Sequence, residues 1–423
     1  SLAFQRRGIY MGKTIAYNPL DYPIYVMAKP VGAMCNLDCS YCYYLEKGEL
    51  YRGQRSNRMT DEMLEKFTEE YINCQTTPEV LFTWHGGETL LRGLDFFRKA
   101  VALQKRYAKG RPIANSIQTN GILLNDEWCR FFKENNFLVG ISIDGPEHVH
   151  DRYRKDKGGR GSFARVMKGI ELLQKHQVEF NTLSVVNDYN AHYALETYRF
   201  FKEIGSCYMQ FSPIVERWGD RPDGLELLPP GEFPDTEMPP WCVDPLDYGQ
   251  FYCDIFDEWV CNDVGRYFVQ MFDATLAGVV GAAPGVCIYG KTCGHAAAME
   301  YNGDVYACDH FVFPEYKRGN IKTDTLVSMM LSPEQMAFGN AKRNTLPRQC
   351  RECRFLNLCN GECPKNRISK TVTGEPGLNY LCAGLQKYYA HVMPYMNYMA
   401  EELKNQRPPA NVMQYAREHL NKK

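Results

Sequence analysis

The chain lacks an excess of either charge. Its 423 residues carry 49 lysines and arginines against 50 aspartates and glutamates. That balance leaves no electrostatic footprint for nucleic acid or an anionic membrane surface. No apolar run is long enough to span a bilayer. The opening SLAFQRRGIY has no apolar stretch of the signal-peptide kind, and Met11 is the expected natural start. Internal repeats and low-complexity tracts are also missing. A nucleic-acid binder, a membrane protein and an exported disulfide scaffold are therefore disfavoured, and a cytoplasmic protein is expected.

Cysteine, by contrast, is abundant. There are 17, an odd number with no export signal, which argues against a disulfide framework. Three lie within Cys35–Cys42 and eight between Cys287 and Cys382. The other six, Cys74, Cys129, Cys207, Cys242, Cys253 and Cys261, read as small buried hydrophobes.

The length suits roughly two to three domains of about 150 residues. Strand-like runs fall at Ile24–Lys29, Val80–Trp84, Ser116–Thr119, Phe137–Ile143, Phe180–Val186 and Tyr208–Ile214. Helical apolar spacing appears between them, at Asp61–Ile72, Leu94–Tyr107, Asp126–Asn135, Phe163–His176 and Ala194–Ile204. Strands alternating with helices predict a parallel sheet with right-handed crossovers and ligands at the strand ends. Residues 216–245, rich in Pro, Gly and acids, read as a mobile loop or linker. Helices are expected at Pro245–Asn262 and Leu385–Asn405.

The first cysteine group reads CNLDCSYC, directly after the first strand. Three thiolates on one loop can bind three irons of a cubane cluster and leave the fourth iron open. An open site is what a catalytic metal needs. Structural zinc wants four ligands, and no fourth is near in sequence. Buried unliganded cysteines are the plainer reading, which three within eight residues at a strand end disfavour.

Cys35, Cys39 and Cys42 at this spacing, with Tyr41 before the last, resemble the signature of the radical S-adenosylmethionine superfamily. The resemblance implies a partial barrel of six parallel strands. It also implies a cluster that chelates S-adenosylmethionine and cleaves it to a 5′-deoxyadenosyl radical. Gly86-Gly87-Glu88 after the second strand is similar to the family's next element, although Thr89 stands where the family has proline. By resemblance Gly87 and Glu88 contact the methionine moiety, Ser142 and Arg154 other polar groups of the cofactor, and Val215 the adenine. The plainer readings are a turn, a strand-end cap, a surface charge and a core residue.

The remaining cysteines are Cys287, Cys293, Cys308, Cys350, Cys353, Cys359, Cys363 and Cys382. Close pairs on turns are typical of metal ligation, and two zinc sites compete with two clusters. The arrangement resembles the SPASM domain, which implies two auxiliary 4Fe–4S clusters and three clusters in all. By resemblance the sets interleave: Cys287, Cys293, Cys308 and Cys363 hold one, and Cys350, Cys353, Cys359 and Cys382 the other. The implied architecture is α/β. Residues 1–22 form an extension, 23–245 a partial six-stranded parallel (β/α) barrel, 246–384 the small cysteine-rich SPASM domain, and 385–423 a C-terminal helix and tail.

Longer stretches, among them YVMAKPVGAMCNLDCSYCYYLEK, FTWHGGETL, NGDVYACDHFVFPEYKRGNI and CNGECPKNR, look like anaerobic sulfatase-maturating enzymes. That family oxidises a cysteine or serine in a sulfatase active-site motif to Cα-formylglycine. The oxidation removes two electrons and two protons. The resemblance makes Asp309, next to Cys308, the base that takes the proton from sulfur or oxygen. A turn aspartate is the plainer reading. His85 and Gln118 sit where they can hold a substrate backbone, and His310 where it can orient Asp309. The implied partners are an unfolded or nascent sulfatase polypeptide and a low-potential donor such as a flavodoxin or ferredoxin, in an anaerobic bacterium. A SPASM enzyme that crosslinks a ribosomal peptide is the runner-up, and a non-catalytic iron–sulfur carrier or zinc scaffold comes third. The third needs no open three-cysteine site.

Overall fold

A computed structural model describes residues 23–231 and 236–420. The extension at 1–22 lies outside the described residues. The first six strands stand where the apolar pattern predicts them: β1 Tyr25–Lys29, β2 Val80–Trp84, β3 Ile113–Thr119, β4 Leu138–Ser142, β5 Phe180–Val186 and β6 Tyr208–Pro213. Each pairs in parallel with the next.

The strands alternate buried and less buried residues. In β2, Val80, Phe82 and Trp84 point into the core. Phe67 and Tyr71 of the helix Asp61–Asn73 meet Phe82, with ring centroids 5.8 and 4.9 Å away. Side-chain caps start the helices where the sequence supplies them. Thr60 accepts from Met63 N, Asn125 from Trp128 N and Asp244 from Leu246 N.

The sheet is larger than six strands. Its order is β10-β9-β8-β1-β2-β3-β4-β5-β6-β7. The added strands are β7 Phe268–Val269, β8 Ala296–Glu300, β9 Asp304–Tyr306 and β10 Lys317–Asn320. β8 lies parallel to β1, with Lys29 opposite Glu300. The cysteine-rich region thus begins by extending the barrel sheet. Apolar patterning does not reveal these strands because they are short and three of the five β8 residues are alanine.

The helix Cys382–Lys404 starts three residues earlier than predicted, so Cys382 is its first residue. It crosses the helix Pro245–Asn262 at Gly384 and Gly249. A Cβ on Gly384 would lie 1.7 Å from the Pro245 carbonyl oxygen, so only glycine permits the crossing. The described part of the predicted loop is fastened. Glu226 N and Leu227 N donate to Glu46 at 2.7 and 3.0 Å, and Arg221 pairs with Glu315 at 2.9 Å. Among the described residues no helix is long and apolar enough to cross a membrane.

Candidate active site

The loop after β1 carries Cys35, Cys39 and Cys42, and backbone bonds hold it from two sides. Asp38 N donates to Lys155 O at 2.8 Å and Ser40 N to Tyr153 O at 3.2 Å. From the loop after β2, Gly87 N donates to Gly32 O at 2.7 Å and Glu88 N to Met34 O at 2.8 Å. A Cβ on Gly87 would lie 2.2 Å from the Met34 carbonyl oxygen. The glycine therefore lets two loops touch, a closer constraint than the ligand approach expected from sequence. Burial pushes the Cys35 thiol up to about 11 and the Cys39 thiol up to about 12. A bound metal must supply the positive charge that makes them thiolates.

Beside this loop lies a buried triad. Arg154 Nη1 donates to the Tyr41 hydroxyl at 2.8 Å, and that hydroxyl donates to Asp144 Oδ2 at 2.5 Å. Burial works against the Arg154 charge, and Tyr41, Cys39 and Asp144 more than restore it. Arg154 Nε is buried with no partner among the described residues. Such an orphaned donor fits a ligand carboxylate.

Other predicted residues are placed differently. The buried Glu88 carboxylate accepts from Thr119 Oγ1 at 2.6 Å, Asn120 N at 2.8 Å and Leu90 N at 3.1 Å. These bonds fix the Glu88 side chain beside Gly87. Ser142 Oγ accepts from Gln118 at 3.2 Å. Ile214 packs against Leu37, Cys39 and Tyr41, whereas Val215 belongs to the main core.

Asp309 sits at the centre of a second group. Lys29 Nζ pairs with its Oδ1, and the Tyr43 hydroxyl donates to its Oδ2. Burial pushes the carboxyl up, but Lys29, His85 and His310 outweigh it and hold it well below the ordinary range. His85 and His310 are themselves pulled down to about 4, mainly by burial, so both are neutral near pH 7. The His310 ring meets Tyr43 edge-on, with centroids 5.6 Å apart. Lys29 Nζ also lies 3.5 Å over the Tyr44 ring, and Tyr44 donates to Glu300 Oε1. Burial raises Glu300 to about 7.

Lys29, Tyr43, Tyr44 and Glu300 were not singled out from sequence. Their signals were present: a lone lysine ending an apolar strand, and two tyrosines directly after Cys42. Neither signal names a partner.

All eight C-terminal cysteines are free. The fold sorts them by proximity. After burial, the Cys308 thiol is raised most by Cys287 and Cys363, and Cys293 is raised by Cys287. In the other group Cys382 raises Cys350, and Cys353 raises Cys382. Cys350, Cys353, Cys359 and Cys382 line one cavity. These groupings cross the local order of the chain.

Comparison with known proteins agrees with this geometry. The radical SAM superfamily model matches residues 30–201, and the iron-sulfur cluster-binding domain model matches residues 290–354. A serine-type anaerobic sulfatase-maturating enzyme of Bacteroides thetaiotaomicron is 60% identical over 95% of this chain and 97% of its own. A cysteine-type enzyme of Clostridium perfringens is 31% identical over 90% of this chain and 100% of its own. The solved structure of native anSMEcpe with bound AdoMet and Cp18Cys peptide is 30% identical, with a TM-score of 0.78 over 90% of this chain and 100% of that one. With a radical SAM core, an iron–sulfur cluster-binding domain and relatives aligned along nearly its whole length, the chain belongs to the anaerobic sulfatase-maturating enzymes.

Proposed function

We propose that this enzyme oxidises a serine in the active-site motif of a sulfatase polypeptide to Cα-formylglycine, with cysteine as a second substrate. The serine preference rests on the 60% identical relative, which is named serine-type. The observation that carries the chemistry is the setting of Asp309. Its carboxylate lies beside Cys308 and reaches Tyr43, the neighbour of Cys42, so it sits between the two cysteine-bearing regions.

The residues present fit the expected groups. Cys35, Cys39 and Cys42 would hold the radical cluster, and Tyr41, Gly87, Glu88, Ser142, Arg154 and Val215 would border S-adenosylmethionine. The orphaned Arg154 Nε supports that placement. When bound, these groups would supply the one-electron chemistry that takes a hydrogen atom from the substrate Cβ, and the C-terminal clusters would supply electron acceptors. Asp309 takes the proton from the substrate hydroxyl or thiol. Lys29 and Tyr43 keep it ionised and oriented for that step. His85 and His310, both neutral, exclude water without competing as charged acids.

We also read residues 23–245 as the radical barrel, 246–384 as the SPASM domain and 385–423 as the C-terminal helix and tail. Three four-iron clusters, a flavodoxin or ferredoxin donor and the cytoplasm of an anaerobic bacterium complete the reading.

The test is anaerobic. The reconstituted enzyme is given S-adenosylmethionine, reductant and a peptide with a Cys-x-Pro-x-Arg motif, or the same peptide with serine in the first place. Peptide mass and 5′-deoxyadenosine are followed together. Aldehyde formed faster on the serine peptide is the expected result. 5′-Deoxyadenosine with no change in either peptide sinks the substrate assignment.

A further inference from the structure

Arg367 is a buried cation with no carboxylate of its own. It is 8% exposed. Its guanidinium donates to three carbonyls: Lys342 O at 2.6 Å, Asn360 O at 2.9 Å and Gly361 O at 3.1 Å. Among the described residues no carboxylate pairs with it. The neighbouring Glu362 accepts from Asn379 at 2.6 Å and Asn366 at 3.0 Å instead.

The position of those carbonyls is informative. Residues 360 and 361 form the turn between Cys359, read as a ligand of one C-terminal set, and Cys363, read as a ligand of the other. A Cβ on Gly361 would lie 2.5 Å from Arg367 Nη2, so the guanidinium is pressed against that turn. Gly361 also lines the cavity shared by Cys350, Cys353, Cys359 and Cys382. On the other side, Lys342 donates its Nζ to Cys287 O and Ile288 O, both at 2.7 Å. Arg367 thus touches the backbone between the two sets.

A buried charge must be neutralised or its desolvation is uncompensated. Here the printed partners are three carbonyl oxygens, two of them on the turn that joins the two sets. Burial pulls the Arg367 pKa down, and Cys293, Cys350, Cys363 and Cys359 offset only part of that. Two of those thiols come from each set.

We infer that Arg367 is a positioning residue for electron transfer, whose charge is shared by the two C-terminal cysteine sets and sets the reduction potentials of their clusters jointly. The inference rests on the reading above that both sets hold clusters. A fixed positive charge stabilises an added electron on either neighbour, so removing it makes reduction of both less favourable.

The experiment compares full-length reconstituted parent, Arg367→Gln and Arg367→Lys. Iron is counted, and the clusters are titrated anaerobically with paramagnetic-resonance detection. The parent should hold about twelve irons. In Arg367→Gln both auxiliary potentials should move negative together, while the radical cluster keeps its signal and its response to S-adenosylmethionine. Arg367→Lys should stay near the parent. Loss of iron from both C-terminal sets in Arg367→Gln alone, with Arg367→Lys fully loaded, also supports a shared charge. A shift in only one cluster, no shift, or equal damage in both variants overturns it, because the backbone bonds would then matter and the charge would not. A parent lacking the auxiliary irons sinks the cluster reading itself, and this inference with it.

Discussion

The Tyr43 hydroxyl donates its hydrogen to the Asp309 carboxylate, 266 positions further along the chain. That bond ties the residue after Cys42 to the residue after Cys308. It places an ionised carboxylate where the two cysteine regions meet, and Lys29 secures it from the strand below.

Asp309→Asn should lower aldehyde formation about 10²–10⁴-fold, the usual worth of a positioned base. S-Adenosylmethionine cleavage should persist, so 5′-deoxyadenosine would exceed aldehyde in paired chromatographic and mass assays. Equal losses of both products would count against Asp309 as the base.

Lys29→Met should remove the cation that holds Asp309 ionised. Burial then pushes that carboxyl up, so activity should fall as pH is lowered from about 8 to about 6, while the parent stays flat. Breaking the buried pair should also cost about 3–5 kcal/mol of stability. Denaturant unfolding and pH–rate profiles check the two parts separately.

Glu300 contributes a stability term of the opposite sense. Its folded carboxyl is raised to about 7, above its ordinary 4.5. Its contribution is therefore fully present below the lower value and is lost as pH rises through the higher one. Glu300→Gln should flatten that dependence and stabilise the protein by roughly 3 kcal/mol at pH 8. Unfolding midpoints at pH 5 and pH 8 that move in parallel for parent and variant would refute it.

Gly87→Ala should dislodge the radical-cluster loop, because the new methyl collides with the Met34 carbonyl. Iron should fall by about a third, the share of one four-iron cluster in three. The auxiliary spectra should survive. Full iron content would show that the loop can yield.

Arg154→Met should leave Asp144 buried without its cation partner and remove the orphaned Nε donor. Affinity for S-adenosylmethionine should drop at least about tenfold, a loss of roughly 1.4 kcal/mol, measured by equilibrium dialysis. Unchanged affinity would assign Arg154 to Tyr41 and Asp144 alone.

Much of this was legible in the chain. The apolar runs Val80–Trp84 and Phe180–Val186 set those two strands to the residue, and in the structure both are half-buried with period two. CNLDCSYC pointed to an open three-thiol site through local spacing alone. Asp309 drew notice through its neighbour Cys308 and the family resemblance. For Glu88, spacing shows that a carboxylate follows two glycines but not which way it turns. Here it turned inward, to Thr119 and Asn120.

By itself the sequence determined the order of the first six strands and their helices, the cysteine spacing and the class of chemistry, since each depends on residues close together in the chain. The tertiary structure alone decided the partners. Laying β8 beside β1 put Lys29 opposite Glu300 and within reach of Asp309. Crossing two helices at Gly249 and Gly384 placed Cys382 beside Cys353. Such pairings follow from packing between distant segments, and residue spacing carries no record of them.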